Sequence, residues 1–312
     1  MRTLLLLANP SASGFTGASF REVVALLSER FAVETEWPID AAATRRRAAE
    51  AARAGVDVVA AMGGDGVVHH VANGLVGHDT ALAIVPVGTT NVLSRLLGLP
   101  RRPHKAARQL ADLEPVPTPL LHIEATTTDG VGVSEYATFA AGVGYDADVV
   151  EAAEARPHAK LRFGGVHYAT TAITKLLADW RGRVPNLRVE CDGERSDALA
   201  VLAQVHGPYT YFGNVPLFLT PRRLAGFVAL AAEDLEVHRS AEIFIRSILR
   251  RPVPERLGIH LWEGFGNIEI DADPPTAFEA DGEHLGMASH IRLTPAPGAV
   301  SVLRDPTAPP AR

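Results

Sequence analysis

Residues 60–76, AAMGGDGVVHHVANGLV, place Gly63, Gly64 and Gly66 around Asp65 directly after an apolar run. Glycine weakens strands and helices alike, so its concentration where one hands over to the other needs a reason. Two chemistries compete. The turn can be a tight reversal whose aspartate caps the following helix. Alternatively, glycine amides at a helix N-terminus form an anion cradle that phosphate oxygens can approach closely. An acidic side chain in such a cradle repels bare phosphate, so Asp65 suits this second chemistry only with Mg²⁺ in between, which points to a nucleoside triphosphate.

A second segment, VPVGTTNVLSRLLGLP, repeats the logic. Gly88, Thr89, Thr90 and Asn91 lead into a helix whose apolar face is Val92, Leu93, Leu96 and Leu97. A simple N-cap by Thr90 or Asn91 would also account for it. The turn NPSASG, Asn9 and Pro10 to Gly14, is a weaker signal of the same kind. No lysine precedes Lys105, which excludes a GK[ST] phosphate loop in the first hundred residues and leaves amides, arginine or a metal ion to meet phosphate. Near the C-terminus, FEADGEHLG supplies Glu279, Asp281 and Glu283. Period-two spacing puts the three on one face if a strand continues, whereas Asp281-Gly282 suits a hairpin turn. On its own this is a solvated acidic hairpin; a general base for a hydroxyl must nonetheless be such a carboxylate or a histidine. GVGYDA, residues 142–147, matches a dinucleotide-binding pattern but lies beyond the first parallel region, without an acidic residue about twenty positions on. His69 and His70 are neighbours, so on a helix they point about 100° apart and make a poor shared metal site.

The elements that must position these residues alternate. TLLLLAN, FAVETEW, VDVVAAM and ALAIVPV read as strands; FREVVALLSERF, the alanine- and arginine-rich AAATRRRAAEAARAG, and the segment 67–75 read as helices. This order predicts a Rossmann-like α/β domain with a mostly parallel sheet, residues 1–115. Ligands of such sheets sit beyond the carboxyl ends of the strands, and all three glycine-containing turns would gather there. The Pro-rich stretch 113–120 marks a boundary. Residues 116–300 read as a β-rich, mostly antiparallel domain interrupted by helical segments near 159–180 and 240–249, with 301–312 as a disordered tail.

Composition narrows the function. The net charge of −6 argues against a general nucleic-acid binder. Two basic clusters, Arg101, Arg102, His104, Lys105 and Arg108, and Arg246, Arg250, Arg251 and Arg256, suit a solvated surface or contact with anionic lipid. Cys191 is the only cysteine, which fits a reducing cytoplasm. The opening MRTLLLLANP reads as a buried strand rather than a signal peptide, and no stretch is long enough to span a bilayer.

Taken together, GGDGVVHHVANGL, PVGTTNVLSRLLGLP, AAGVGYDADVVE and EADGE resemble, in order and spacing, the diacylglycerol kinase catalytic-domain family of bacterial lipid kinases. The resemblance runs from LLANPSASG to about residue 294. It implies an ATP site in a cleft between an α/β and a β-rich domain. It places nucleotide contacts on Asn9, Pro10 and the turn to Gly14, on Thr35, on Gly63, Gly64, Asp65 and Gly66, and on Thr89, to which the residue pattern adds Gly88, Thr90 and Asn91. Asp65 matches the essential aspartate and the Mg²⁺ ligand; Glu283 matches the proton acceptor, with Asp281 beside it. The implied reaction is transfer of the ATP γ-phosphate to a lipid hydroxyl by a protein peripheral to the inner membrane face. The acceptor would be diacylglycerol or a related lipid alcohol, and exposed strand edges would suit a homodimer. The alternatives are an NAD or small-metabolite kinase of the same superfamily, and a nucleotide-binding regulator. Departures from the family pattern are Val67 in place of a hydroxyl, His69 and His70 after it, and Ala225 and Ala229 where a structural Mg²⁺ site would need carboxylates; no structural metal is expected.

Overall fold

A computed structural model describes residues 1–154, 171, 174–180, 182–220, 226–254 and 257–305. The chain divides into two compact units: residues 1–120 together with the chain from Ala296 onward, and Leu121–Pro295.

The first unit opens with β1 (Arg2–Ala8), α1 (Gly17–Ser28), β2 (Phe31–Glu36), α2 (Ala41–Arg53), β3 (Val58–Gly63), α3 (Asp65–Leu75) and β4 (Ala81–Pro86). Short helices α4 (Val92–Leu96) and α5 (Pro103–Leu110) follow. The strands pair in parallel in the order β2-β1-β3-β4. Leu4–Leu7, Val58–Met62 and Ala81–Val85 are buried throughout, as central strands covered on both faces require. Alanine in α2 lets α3 come close: a Cβ on Gly74 would lie 2.6 Å from the Arg45 carbonyl oxygen and 2.8 Å from the Ala48 Cβ. The order in which strands are added reverses between β1 and β3, since β2 and β3 flank β1 on opposite sides, and such a switch point is where open α/β sheets bind ligands.

The second unit is built from β6 (Gly132–Ala137), β7 (Ala140–Gly144), α6 (Tyr145–Glu154), β8 (Leu187–Cys191), β9 (Glu194–Ala198) and β10 (Ala200–Gln204). The hairpin β11 (Thr210–Phe212) and β12 (Val215–Leu217), β13 (Val228–Ala232), α7 (Val237–Leu249), β14 (Ile259–Glu263) and β15 (Ile268–Ala280) follow. Two long strands, β5 (Glu114–Thr127) and β16 (Glu283–Arg304), have residues in both units. Within the second unit all the register pairings are antiparallel, running β14-β13-β10-β7-β15-β16 with β8 and β9 added along β15. Phe278, Val201, Ile268, Ile270 and Ile291 centre its core. Cys191 is buried there and its thiol is pushed up to about 12 by burial, so it is no nucleophile.

Four local features go beyond the pattern of strands and helices read from the sequence. The Pro-rich stretch 113–120, read as a boundary, ends where the two units divide, and from Glu114 it forms the first half of β5; Pro115, Pro117 and Pro119 alternate, so one edge of the strand is stripped of N–H donors while the chain stays extended. The segment YATFAAG, residues 136–142, is divided between β6 and β7 at Thr138 and Phe139. A helix, α6, begins within GVGYDA, at Tyr145, where none was expected. Residues 301–304 are not tail but the end of β16, where Val302 pairs in parallel with Leu82 of β4 and Val300, Val302 and Leu303 are buried. The remainder of the tail, residues 306–312, lies outside the described residues, as do Ala225, Arg256 and most of the segment 159–180. Ala229 is a buried strand residue that pairs with Ala203 and Trp262.

Candidate active-site residues

The three turns at the carboxyl edge of the first unit's sheet are knitted together by backbone hydrogen bonds. Asn9 N–H donates to Met62 C=O at 3.0 Å, Val87 N–H to Gly63 C=O at 2.9 Å, and Gly14 N–H to Val87 C=O at 2.8 Å. The glycines make this possible. A Cβ on Gly88 would meet the Gly64 Cα at 2.4 Å, one on Gly14 the Val87 carbonyl oxygen at 2.9 Å, and one on Gly63 the Val67 side chain at 2.5 Å. Their first job is therefore to let backbone lie on backbone; the result is an edge floored by main chain. Val67, where the family pattern has a hydroxyl, packs its methyl groups over Gly63 instead.

Asp65 is the first residue of α3, and its Oδ1 accepts from Val92 N–H, the first residue of α4, at 2.6 Å. The aspartate thus ties two helix N-termini together and caps the second rather than its own. Asn91 sits in the left-handed region (φ 50°, ψ 58°) and turns back: its Oδ1 accepts from Gly88 N–H and its Nδ2 donates to Gly88 C=O. It closes the GTTN loop on itself and does not serve as the side-chain cap foreseen for it. Ser13 and Thr89 hydroxyls meet at 3.1 Å, and Asn9 Oδ1 accepts from Ser11 N–H. The first intrahelical bond of α3 runs from Val68 N–H to Gly64 C=O, so the turn before it carries the donors a helix N-terminus offers to an anion.

Asn9, Pro10, Gly14, Gly63, Gly64, Asp65, Gly66, Gly88, Thr89, Thr90 and Asn91 thus share one sheet edge. Thr35 is exposed on β2, beyond β1. Two residues on, Trp37 forms an aromatic cluster with Phe15 and Phe20, ring centroids 5.4–6.0 Å apart. Sequence reading missed this cluster because its members come from three separate segments. His69 and His70, expected to diverge, meet edge to face with ring centroids 5.0 Å apart, His69 being fully buried.

The donor set fits a nucleotide triphosphate with its metal. Amides and hydroxyls are neutral donors, and the first unit has no lysine before Lys105. Asp65, whose Oδ1 accepts from Val92 N–H, would offer a carboxylate of the kind Mg²⁺ takes beside phosphate oxygens and water.

In the second unit, Asp281 and Gly282 (φ 54° and 83°) make the two-residue turn between β15 and β16. The acidic residues therefore do not share one face. Ala280 pairs with Glu283 and Glu279 with His284, which sets Glu279 and Glu283 on opposite faces. Asp281, grouped with Glu283 as catalytic on sequence, is buried and accepts from three backbone amides: Thr138 at 2.7 Å, Phe139 at 2.9 Å and Ala140 at 3.2 Å. It anchors the turn across the break between β6 and β7. Glu283 is half-buried at the start of β16.

Glu279 is 2% exposed and accepts from Gly282 N–H at 2.7 Å. It is hydrogen-bonded to Asp146, which in turn accepts from the Tyr209 hydroxyl. Both carboxylic acids lie over Gly142, where a Cβ would be 2.4 Å from Asp146 Oδ2 and 2.8 Å from Glu279 Oε1. Gly144 has φ 81°, and a Cβ there would strike the Leu199 carbonyl. The GVGYDA glycines thus seat an acid pair, not a dinucleotide. Burial, and the neighbouring carboxylate, push Glu279 well above the usual carboxylate range; burial raises Asp146 as well. Burial first, then the adjacent Asp146, raises Tyr209 well above an ordinary phenol. Two buried carboxyl groups this close disfavour joint ionisation, an arrangement that favours a proton shared between them.

Residues 3–123 match the diacylglycerol kinase catalytic domain. That stretch belongs to the diacylglycerol kinase catalytic-domain family. The chain is 30% identical over 47% of its length to a YegS-like protein of Stenotrophomonas maltophilia named as a probable lipid kinase, and 34% identical over 40% of its length to a diacylglycerol kinase of Mycobacterium tuberculosis. These alignments cover 46% and 40% of the relatives, so the chain spans about half or less of the curated proteins it matches. A crystal structure of a diacylglycerol kinase from Bacillus anthracis has the same fold, with a TM-score of 0.69 at 17% identity over 98% of this chain and 97% of that one. Among the described residues no helix is long and apolar enough to cross a membrane.

Proposed function

We propose that the protein is an ATP-dependent lipid kinase that transfers the γ-phosphate to the hydroxyl of diacylglycerol or a related lipid alcohol, working peripherally at the inner membrane face. The observation that carries the reading is the main-chain-floored edge at the β1/β3 switch point, where the turns after β1, β3 and β4 converge around Asp65. Amides of the Gly63–Gly66 and Gly88–Asn91 turns would hold the phosphates, with the Ser13 and Thr89 hydroxyls beside them. Asp65 would hold Mg²⁺, which when bound neutralises charge on the β- and γ-phosphates. Glu283 would accept the proton of the lipid hydroxyl. Phosphoryl transfer asks mainly for positioning and charge neutralisation, so this small set suffices. The family of residues 3–123 supports the kinase reading, and the chain's similarity to a probable lipid kinase and a diacylglycerol kinase supports a lipid acceptor.

Mg²⁺-dependent ATP consumption against a panel of lipid alcohols, with NAD as a control acceptor, tests the assignment. A phosphorylated lipid is the expected product. Phosphorylation of NAD alone would move the protein to the metabolite kinases, and nucleotide binding without turnover on any acceptor would make it a regulator.

A further inference from the structure

Helix α7 is packed the opposite way from an ordinary surface helix. None of its residues is buried. Its inward contact is Ile243, which rests on the small cluster of Leu219, Val228, Leu230, Leu257 and Ile259. Its charged side chains close on themselves: Arg239 pairs with Asp234 and Arg246 with Glu242. What faces outward is apolar. Val237, Phe244, Ile245 and Leu249 are 44%, 42%, 54% and 54% exposed. At 100° per residue they fall, with Ala241 and Ile248, on one stripe that is interrupted only near its N-terminal end by exposed His238, which pairs with Glu236. The hairpin β11–β12 packs against α7 and adds Val215, also exposed. An apolar patch of this extent on one face marks a contact surface.

The charge at the end of the stripe says what the contact is. Arg250 caps α7 in the left-handed region and stacks over the Phe218 ring at 3.9 Å, without an acidic partner among the described residues. Arg251 follows, exposed and likewise without an acidic partner among them. In a chain of net charge −6, this places uncompensated positive charge beside exposed aliphatic and aromatic side chains. An amphipathic helix with that arrangement matches an interface of acyl chains and anionic headgroups. We propose that the outward face of α7, with Arg250 and Arg251, is the surface by which this protein docks on an anionic lipid bilayer. The inference deepens the lipid-kinase reading and rests on it for the choice of a bilayer as occupant.

Sedimentation with vesicles, in the absence of nucleotide, tests the surface separately from catalysis. The protein is expected to bind phosphatidylcholine vesicles containing phosphatidylglycerol and to bind phosphatidylcholine alone more weakly. Ile245→Asp with Leu249→Asp, at exposed positions that leave the fold intact by circular dichroism, should lower partitioning by about tenfold or more. Arg251→Gln should cost about fivefold on the anionic vesicles only. Both variants should keep wild-type turnover on a short-chain diacylglycerol presented below its micellar concentration. Vesicle binding with no ATP consumption on any acceptor would sink the kinase reading and leave the surface standing. Absence of wild-type binding, or equal binding by the double aspartate variant, would overturn the proposal. So would a dimer in solution that the double variant splits while vesicle binding is absent.

Discussion

At the scale of single residues, the candidate site is organised by commitments that only the folded chain reveals. Asp65 has one oxygen held by Val92 N–H, so Asp65→Asn keeps that acceptor while losing the charge. The variant is expected to fold like the parent and to lose about 100-fold or more of Mg²⁺-dependent turnover, read from initial rates across a Mg²⁺ titration. Asp281 and Glu283 separate in the same way. Asp281→Ala strands three buried amides and should cost at least about 2–3 kcal/mol in urea unfolding, whereas Glu283→Gln should leave the unfolding curve in place and remove turnover. The buried pair of Glu279 and Asp146 gives a pH signature. Both are raised in the folded state, so that state binds more protons than the unfolded chain above the ordinary carboxylate range. The pair's contribution to stability is therefore full below that range and is lost as pH rises from it toward the pair's elevated value. Glu279→Gln, neutral at every pH, should flatten this slope when melting temperature is followed against pH; an unchanged slope would contradict the shared proton.

At the scale of elements, most of the first unit was legible because its signals are local. The continuous apolar runs Leu4–Leu7 and Val58–Met62, each followed by helical spacing, mark buried parallel strands, and the parallel order by itself gathers the three turns. What was not legible depends on contacts between distant segments. That Gly88 faces Gly64, and that Gly142 makes room for Asp146 and Glu279, cannot be read from spacing within a motif. The Asp281-Gly282 turn was readable from its dipeptide, but the amides Asp281 grips lie about 140 residues earlier. Gly88→Ala tests the element-level account: the added methyl meets main chain, which cannot swing aside. A loss of about 1–3 kcal/mol in thermal unfolding, with weakened nucleotide binding in the same variant, is the expected result.

At the scale of the whole molecule, the chain leaves the α/β unit at Leu120 and comes back to it at Ala296. The return is structural: Val300, Val302 and Leu303 are buried, and Val302 pairs beside β4, the strand that leads into the GTTN loop. The edge formed by the three glycine-containing turns and the end of the last strand thus belong to one folded unit, although that end lies about 200 residues further along the chain. The proposed lipid kinase requires this edge to bind ATP for transfer to lipid. The most direct measurement is Mg²⁺-dependent movement of label from γ-labelled ATP into lipid by the purified protein, alongside Asp65→Asn and Glu283→Gln. A labelled lipid from the wild type, and none above background from either variant, is the expected result. Label appearing in lipid at an undiminished rate with both variants, each folded, would contradict it.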